Sequence, residues 1–234
     1  MLRYRRRFRV RRLRKSGWLL LAVAIAYMLF RIWGPTAGSP GRNRVPAVVD
    51  RSERFCTVEK VLDGDSVVCA NGNTVRYAGI DTPEPLHLYA ERARATNRRW
   101  VYRRTIRLRV VDVDRYGRLV AFVYRTDWPP PSINERLLSE GLAWVYYFPS
   151  VRRYWSRLVR IQRDAMRARR GIWRVLSRRP ERLIGNRRSR RFHTERCGYV
   201  VQIAPAHRVV FLSRWDAFWA GYAPARECAQ PVGE

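Results

Sequence analysis

Residues Asp63 to Glu84 read DGDSVVCANGNTVRYAGIDTPE, and the fold follows from this stretch. Its two apolar runs enclose Asn71-Gly72, a dipeptide that tolerates positive φ and so closes a β-hairpin, with Thr74 to Ile80 as the returning strand. Asp65 and Asp81 fall at strand ends. Carboxylates placed there can converge with the Thr82 carbonyl on one hard cation, because calcium takes several oxygen ligands in loose geometry. Arg76 precedes Asp81 by an odd spacing, which puts the two on opposite faces of a straight strand. Gly79 permits the bend that would bring them together. Glu84 follows Pro83, whose fixed φ holds the backbone just after Asp81.

A second turn, Asp114-Arg115-Tyr116-Gly117-Arg118, presents another arginine. Two arginines around a carboxylate-bound cation suit a phosphodiester. Together with Asn134-Glu135 and Gly141-Leu142-Ala143, the ordered set Asp63-Gly64-Asp65-Ser66, Arg76, Ile80-Asp81-Thr82-Pro83-Glu84 and Asp114 to Arg118 resembles the staphylococcal nuclease (thermonuclease) family, from about Phe55 to Trp173.

The resemblance implies a mainly β, α+β fold: a five-stranded OB-like barrel with packed helices. It implies Asp65, Asp81 and the Thr82 carbonyl as calcium ligands, Glu84 as the residue that activates or positions the attacking water, and Arg76 and Arg118 as phosphate ligands. Substitution of either arginine by alanine is expected to remove most cleavage and leave the fold intact. Tyr116 and Tyr147 match aromatics lining the family's nucleotide pocket, whereas a third such position is Pro149 here. Ser66 replaces the usual Thr.

Composition agrees with a polyanionic partner without identifying it. The formal net charge is +29, carried almost wholly by arginine, with Lys15 and Lys60 the only lysines. Such a field favours nucleic acid or an anionic membrane. A coding bias toward arginine would produce the same count.

Along the chain, residues 1–33 comprise a basic run and the apolar stretch Gly17 to Phe30, shorter than the roughly 20 residues of a usual membrane span. It reads as a signal segment or, with Trp18 and Trp33 at its ends, as an uncleaved anchor. Either places the remainder outside the cytoplasm, at a bacterial inner membrane or secreted to the periplasm. Residues 34–53 read as a linker and 54–173 as the nuclease-like domain. Cys56 and Cys69 flank the Asp63-Gly64 turn and suit either a disulfide or two buried thiols. Leu88 to Tyr102 and Arg152 to Arg170 read as basic amphipathic helices, the second with Leu158, Ile161 and Ala165 inward. Ser132 with Glu135 reads as a capping box.

Residues 174–191 read as a basic linker and 192–234 as a small module with little core. The module is similar to the Ada-type zinc-binding module at His193, Cys197 and Cys228, but Ala225 stands where a third cysteine belongs. Structural zinc takes four protein ligands. Zinc, a Cys197 to Cys228 disulfide, or neither remains open.

The leading expectation is thus a calcium-dependent endonuclease acting on DNA or RNA with little sequence preference, with no protein partner inferred. The alternative is a non-catalytic module that holds single-stranded nucleic acid on an OB-like barrel.

Overall fold

The computed structural model describes residues 54–85 and 88–228. The N-terminal segment and its linker, 1–53, lie outside the described residues. Among the described residues no helix is long and apolar enough to cross a membrane.

The chain forms a closed barrel of five strands in the order β1-β2-β3-β6-β5, from β1 (Arg54–Val61), β2 (Ser66–Cys69), β3 (Thr74–Tyr77), β5 (Thr105–Val113) and β6 (Leu119–Arg125). All neighbours are antiparallel except β3 and β6. The expected β2–β3 hairpin is present, with Val67 opposite Val75, and Gly72 takes φ 81° at its tip. The returning strand does not run unbroken from Thr74 to Ile80. At Gly79 (φ 75°) it turns out of the barrel, and β4 (Ile80–Asp81) pairs instead with β7 (Trp144–Val145).

The gap opened by that turn is closed by Asn134 on α2 (Ile133–Ser139), reached after the Ser132–Glu135 capping box. Its fully buried amide accepts from the Val123 amide at 2.9 Å and donates to the Ala78 and Ala121 carbonyls at 2.9 and 3.1 Å. Asn134 therefore binds backbone from both sides of the barrel seam and has a structural role. Helix α1 (Ala90–Val101) buries Ala93, Asn97 and Val101 against the barrel and turns its arginines outward.

Residues Arg152 to Arg170 are not one helix. A 3-10 segment, Pro149–Tyr154, precedes α3 (Trp155–Arg167), since Pro149 initiates a turn early. The fully buried face of α3 is Leu158, Val159, Gln162, Ala165 and Met166; Ile161 is partly buried and packs against the barrel core, as expected, and Gln162 joins the inner face. Gln162 accepts from the Val145 amide at 2.7 Å and donates to the Phe218 carbonyl at 2.6 Å. A buried amide is tolerated there because both its ends are bonded.

The C-terminal residues differ most from expectation. Residues 174–191 are not a linker throughout, because β8 (Leu183–Asn186) lies within them. With β9 (Arg191–Thr194), β10 (Arg208–Phe211) and β11 (Ala223–Pro224) it builds a four-stranded sheet in the order β10-β8-β9-β11. The sheet and α4 (Arg214–Trp219) share a core with the nuclease domain: Phe218 lies 5.7 Å from Trp144, 5.1 Å from Trp173 and 5.4 Å from Phe192, ring centre to ring centre. Borrowing apolar surface from the larger domain is how so short a segment reaches a stable core. The described residues group as a single compact unit.

Cys56 and Cys69 form a disulfide between β1 and β2, and Cys197 and Cys228 form a second. The second corrects the zinc expectation. Disulfide sulfurs are not thiolates, the species that binds zinc, and no cysteine supplies a further ligand at Ala225. His193 lies beside the bond, its Nδ1 3.4 Å from Cys197 Sγ.

Candidate active site

The turn Asp63-Gly64-Asp65 is fixed from three sides. The Asp65 amide donates to Asp63 Oδ1 at 2.9 Å, and Asn97 of α1 donates to the Asp63 carbonyl at 3.1 Å. Tyr77, buried in the barrel, donates its hydroxyl to the same Asn97. A Cβ on Gly64 would lie 2.7 Å from Thr82 Cγ2 and 2.8 Å from Ala93 Cβ, so only glycine lets the turn sit this close to the Thr82 loop.

That closeness assembles the site. Asp65 Oδ2 accepts from both the amide (2.8 Å) and hydroxyl (3.1 Å) of Thr82. Arg76 bridges the two aspartates, Nη1 to Asp65 Oδ1 at 3.0 Å and Nη2 to Asp81 Oδ1 at 2.5 Å, while Nη1 also reaches the Tyr77 carbonyl. The bend at Gly79 thus brings Arg76 and Asp81 to one side. All of Asp65, Arg76, Asp81 and Thr82 are buried. Burial pushes the Asp65 carboxyl up to about 7; Arg76 opposes this, and Asp81 and Asp63 add to it. Two buried acids with one guanidinium between them leave negative charge for a further cation to neutralise.

Glu84 is exposed, and the contact that holds it comes from an unexpected direction. Arg226, beyond β11, places Nη2 3.2 Å from Glu84 Oε1 and 3.5 Å from Asp81 Oδ1. Pro83 alone does not tie Glu84 to the site.

Arg118 closes the turn that leads into β6, the strand paired with the one that carries Arg76. Arg76 is the Cα partner of Val120, two positions after Arg118. Its Nε donates to Asp114 Oδ2 at 2.7 Å, one of the five donors of a guanidinium. Burial pushes the Asp114 carboxyl up, but the bonds from Arg118 and the Tyr116 amide outweigh it and hold the group below the usual carboxylate range. Tyr116 is exposed, flanked by Arg115 at 4.8 Å and Arg118 at 5.5 Å from its ring centre. Tyr147 is half-buried, edge-on to Trp155 at 5.1 Å.

Sequence reasoning missed Arg191, Tyr146 and Arg226. Arg191 lies over the Tyr146 ring, 3.2 Å from its centre, and donates to the Tyr147 carbonyl. No local pattern marks Arg191 or Arg226 among so many arginines; only the fold does, with Arg191 on β9 and Arg226 just beyond β11.

The barrel and this carboxylate–arginine cluster accord with the comparisons. The model of "staphylococcal nuclease homologue" matches residues 74–175. A micrococcal nuclease of Shigella flexneri is 33% identical over 144 residues, covering 55% of this chain and 77% of the relative. A thermonuclease of Staphylococcus intermedius is 27% identical over 169 residues, 68% of this chain and 96% of the relative. An uncharacterized endonuclease of Haemophilus influenzae is 34% identical over 106 residues, 44% of this chain and 58% of the relative. The chain belongs to the staphylococcal nuclease family, a class of nuclease-type hydrolases. Residues 176–228, with Arg191 and Arg226, lie beyond the span that the family model matches.

Proposed function

We propose that the chain is a calcium-dependent endonuclease that hydrolyses phosphodiester bonds of DNA or RNA with little sequence preference. The observation that carries this reading is the buried pair Asp65 and Asp81, joined through Arg76 at the edge of the barrel. The donor set is all hard oxygen and carries excess negative charge, which fits calcium and not a soft metal. Asp65, Asp81 and the Thr82 carbonyl would hold the ion. When bound, it supplies neutralisation of the negative charge that grows on the phosphoryl oxygens.

The protein's own groups do the rest. Glu84 orients a water whose oxygen attacks phosphorus as the bond to the leaving sugar oxygen breaks, and its carboxylate receives the water's proton. Arg118, its Nε anchored on Asp114, turns its remaining donors toward the phosphate. Arg76 trades part of its hold on the aspartates for the phosphate oxygens, an anion of similar geometry. Tyr116, exposed among arginines, offers a base a face to stack on. Contacts of these kinds carry no base information, so cleavage has little sequence preference.

We also propose that the domain works outside the cytoplasm. All four cysteines of the chain are paired, which supports an oxidising compartment. The segment expected to take it there, and to act as signal or membrane anchor, is residues 1–33.

Plasmid and RNA digestion by the full chain, with calcium or with chelator, and with Arg118→Ala as control, tests the reading. Calcium-dependent cleavage lost in the variant supports it. Salt-sensitive binding without cleavage assigns the chain instead to the non-catalytic binders.

A further inference from the structure

We infer that the C-terminal sheet is part of the active site, and that Arg226 is a positioning residue that holds Glu84 beside Asp81 for the attack on the phosphodiester. The inference rests on the nuclease reading and extends it to residues beyond the family match.

A closed circuit of contacts leads from Asp81 through the C-terminal sheet and back. Asp81 on β4 is the Cα partner of Trp144 on β7. Three residues on, the Tyr147 carbonyl accepts from Arg191 on β9, whose guanidinium also covers Tyr146. Arg191 is the Cα partner of Ala223 on β11. Beyond β11 the Ala225 amide donates to the Phe192 carbonyl at 2.9 Å, and Ala225 is buried. Arg226 follows directly and returns to Asp81 and Glu84 at 3.5 and 3.2 Å. The Cys228 amide donates to the Ala225 carbonyl, and the disulfide to Cys197 fastens the chain just past the arginine.

The Arg226 base is therefore fixed while its side chain stays 61% exposed, open to substrate and solvent. An exposed ion pair is a weak source of stability. Its use lies in direction: without Arg226, no other contact among the described residues links the Glu84 carboxylate to Asp81. Orientation of a reacting group acts on the transition state more than on substrate binding, so its loss falls on kcat.

The test is steady-state cleavage of plasmid DNA at saturating calcium by full-length wild type, Arg226→Met and Arg226→Lys, with thermal midpoints recorded alongside. Arg226→Met is expected to lower kcat about 10- to 100-fold with little change in KM, and at an unchanged midpoint. Arg226→Lys, a cation of similar reach, is expected to recover part of the loss. Unchanged kcat in Arg226→Met, a raised KM at full kcat, faster cleavage, or no recovery with lysine would each overturn the positioning role while wild-type cleavage upheld the nuclease reading. A wild-type chain that does not cleave overturns both.

Discussion

Arg76 and Asp81, five positions apart in the sequence, meet at 2.5 Å because the chain leaves the barrel at Gly79. The ion pair is buried, and that alters the consequences of removing it. Breaking a buried pair costs more than the pair contributes, since the remaining charges lose their partner.

Arg76→Ala is accordingly expected to lower stability by about 3–5 kcal/mol without metal, in addition to removing cleavage. The expectation from sequence, that the fold would be unaffected, is revised by this burial. Urea unfolding in the presence of chelator measures the loss. A variant as stable as wild type would show that the aspartates are satisfied without Arg76.

Arg118 is partly exposed and, among the described residues, its side chain bonds within its own turn, to Asp114. Arg118→Ala is expected to cut kcat by about 100- to 1,000-fold, the usual contribution of a preorganised donor to a developing oxyanion. The unfolding midpoint should hardly move. A large loss of stability at full turnover would make the residue a structural brace for the Asp114 turn.

Asn134→Leu keeps the approximate volume but leaves the Val123 amide and the Ala78 and Ala121 carbonyls without their partner. Buried groups stranded in this way cost about 1–3 kcal/mol each. Loss of most of the protein's stability is expected, read by thermal unfolding. A near-normal midpoint would mean that water fills the seam.

The Cys56–Cys69 bond closes a loop of sequence separation 13, for which chain entropy suggests about 3 kcal/mol. The Cys56→Ser/Cys69→Ser pair should unfold at correspondingly lower urea and still cleave when folded, because the bond lies on β1 and β2 and touches none of the reacting groups. Cleavage lost in the folded variant would place the bond in the site's support.

The central barrel was legible because its information is local: Asn71-Gly72, the Asp63-Gly64 turn and the Ser132–Glu135 box each act within a few residues. Even the bend at Gly79 was visible as a glycine between an arginine and an aspartate that needed to meet. What was not legible depends on partners distant in the chain. Strand β8 hides among arginines and shows only when β9 and β10 lie beside it. Arg226 is 145 residues from Asp81, and nothing in its neighbourhood marks it out from the chain's other arginines. Proximity of His193, Cys197 and Cys228 was expected and is present, yet the chemistry is that of a disulfide, since sulfur paired with sulfur leaves no thiolate for a metal.

The most direct single measurement is a calcium titration of the cleavage rate for the full chain and for Asp81→Asn. The substitution keeps size and an oxygen for Arg76 but removes the charge. The account predicts no cleavage by wild type in chelator, and in the variant a calcium requirement raised about tenfold or more with a lower plateau. Cleavage by wild type that persists in chelator, or titration curves that superimpose, would contradict it.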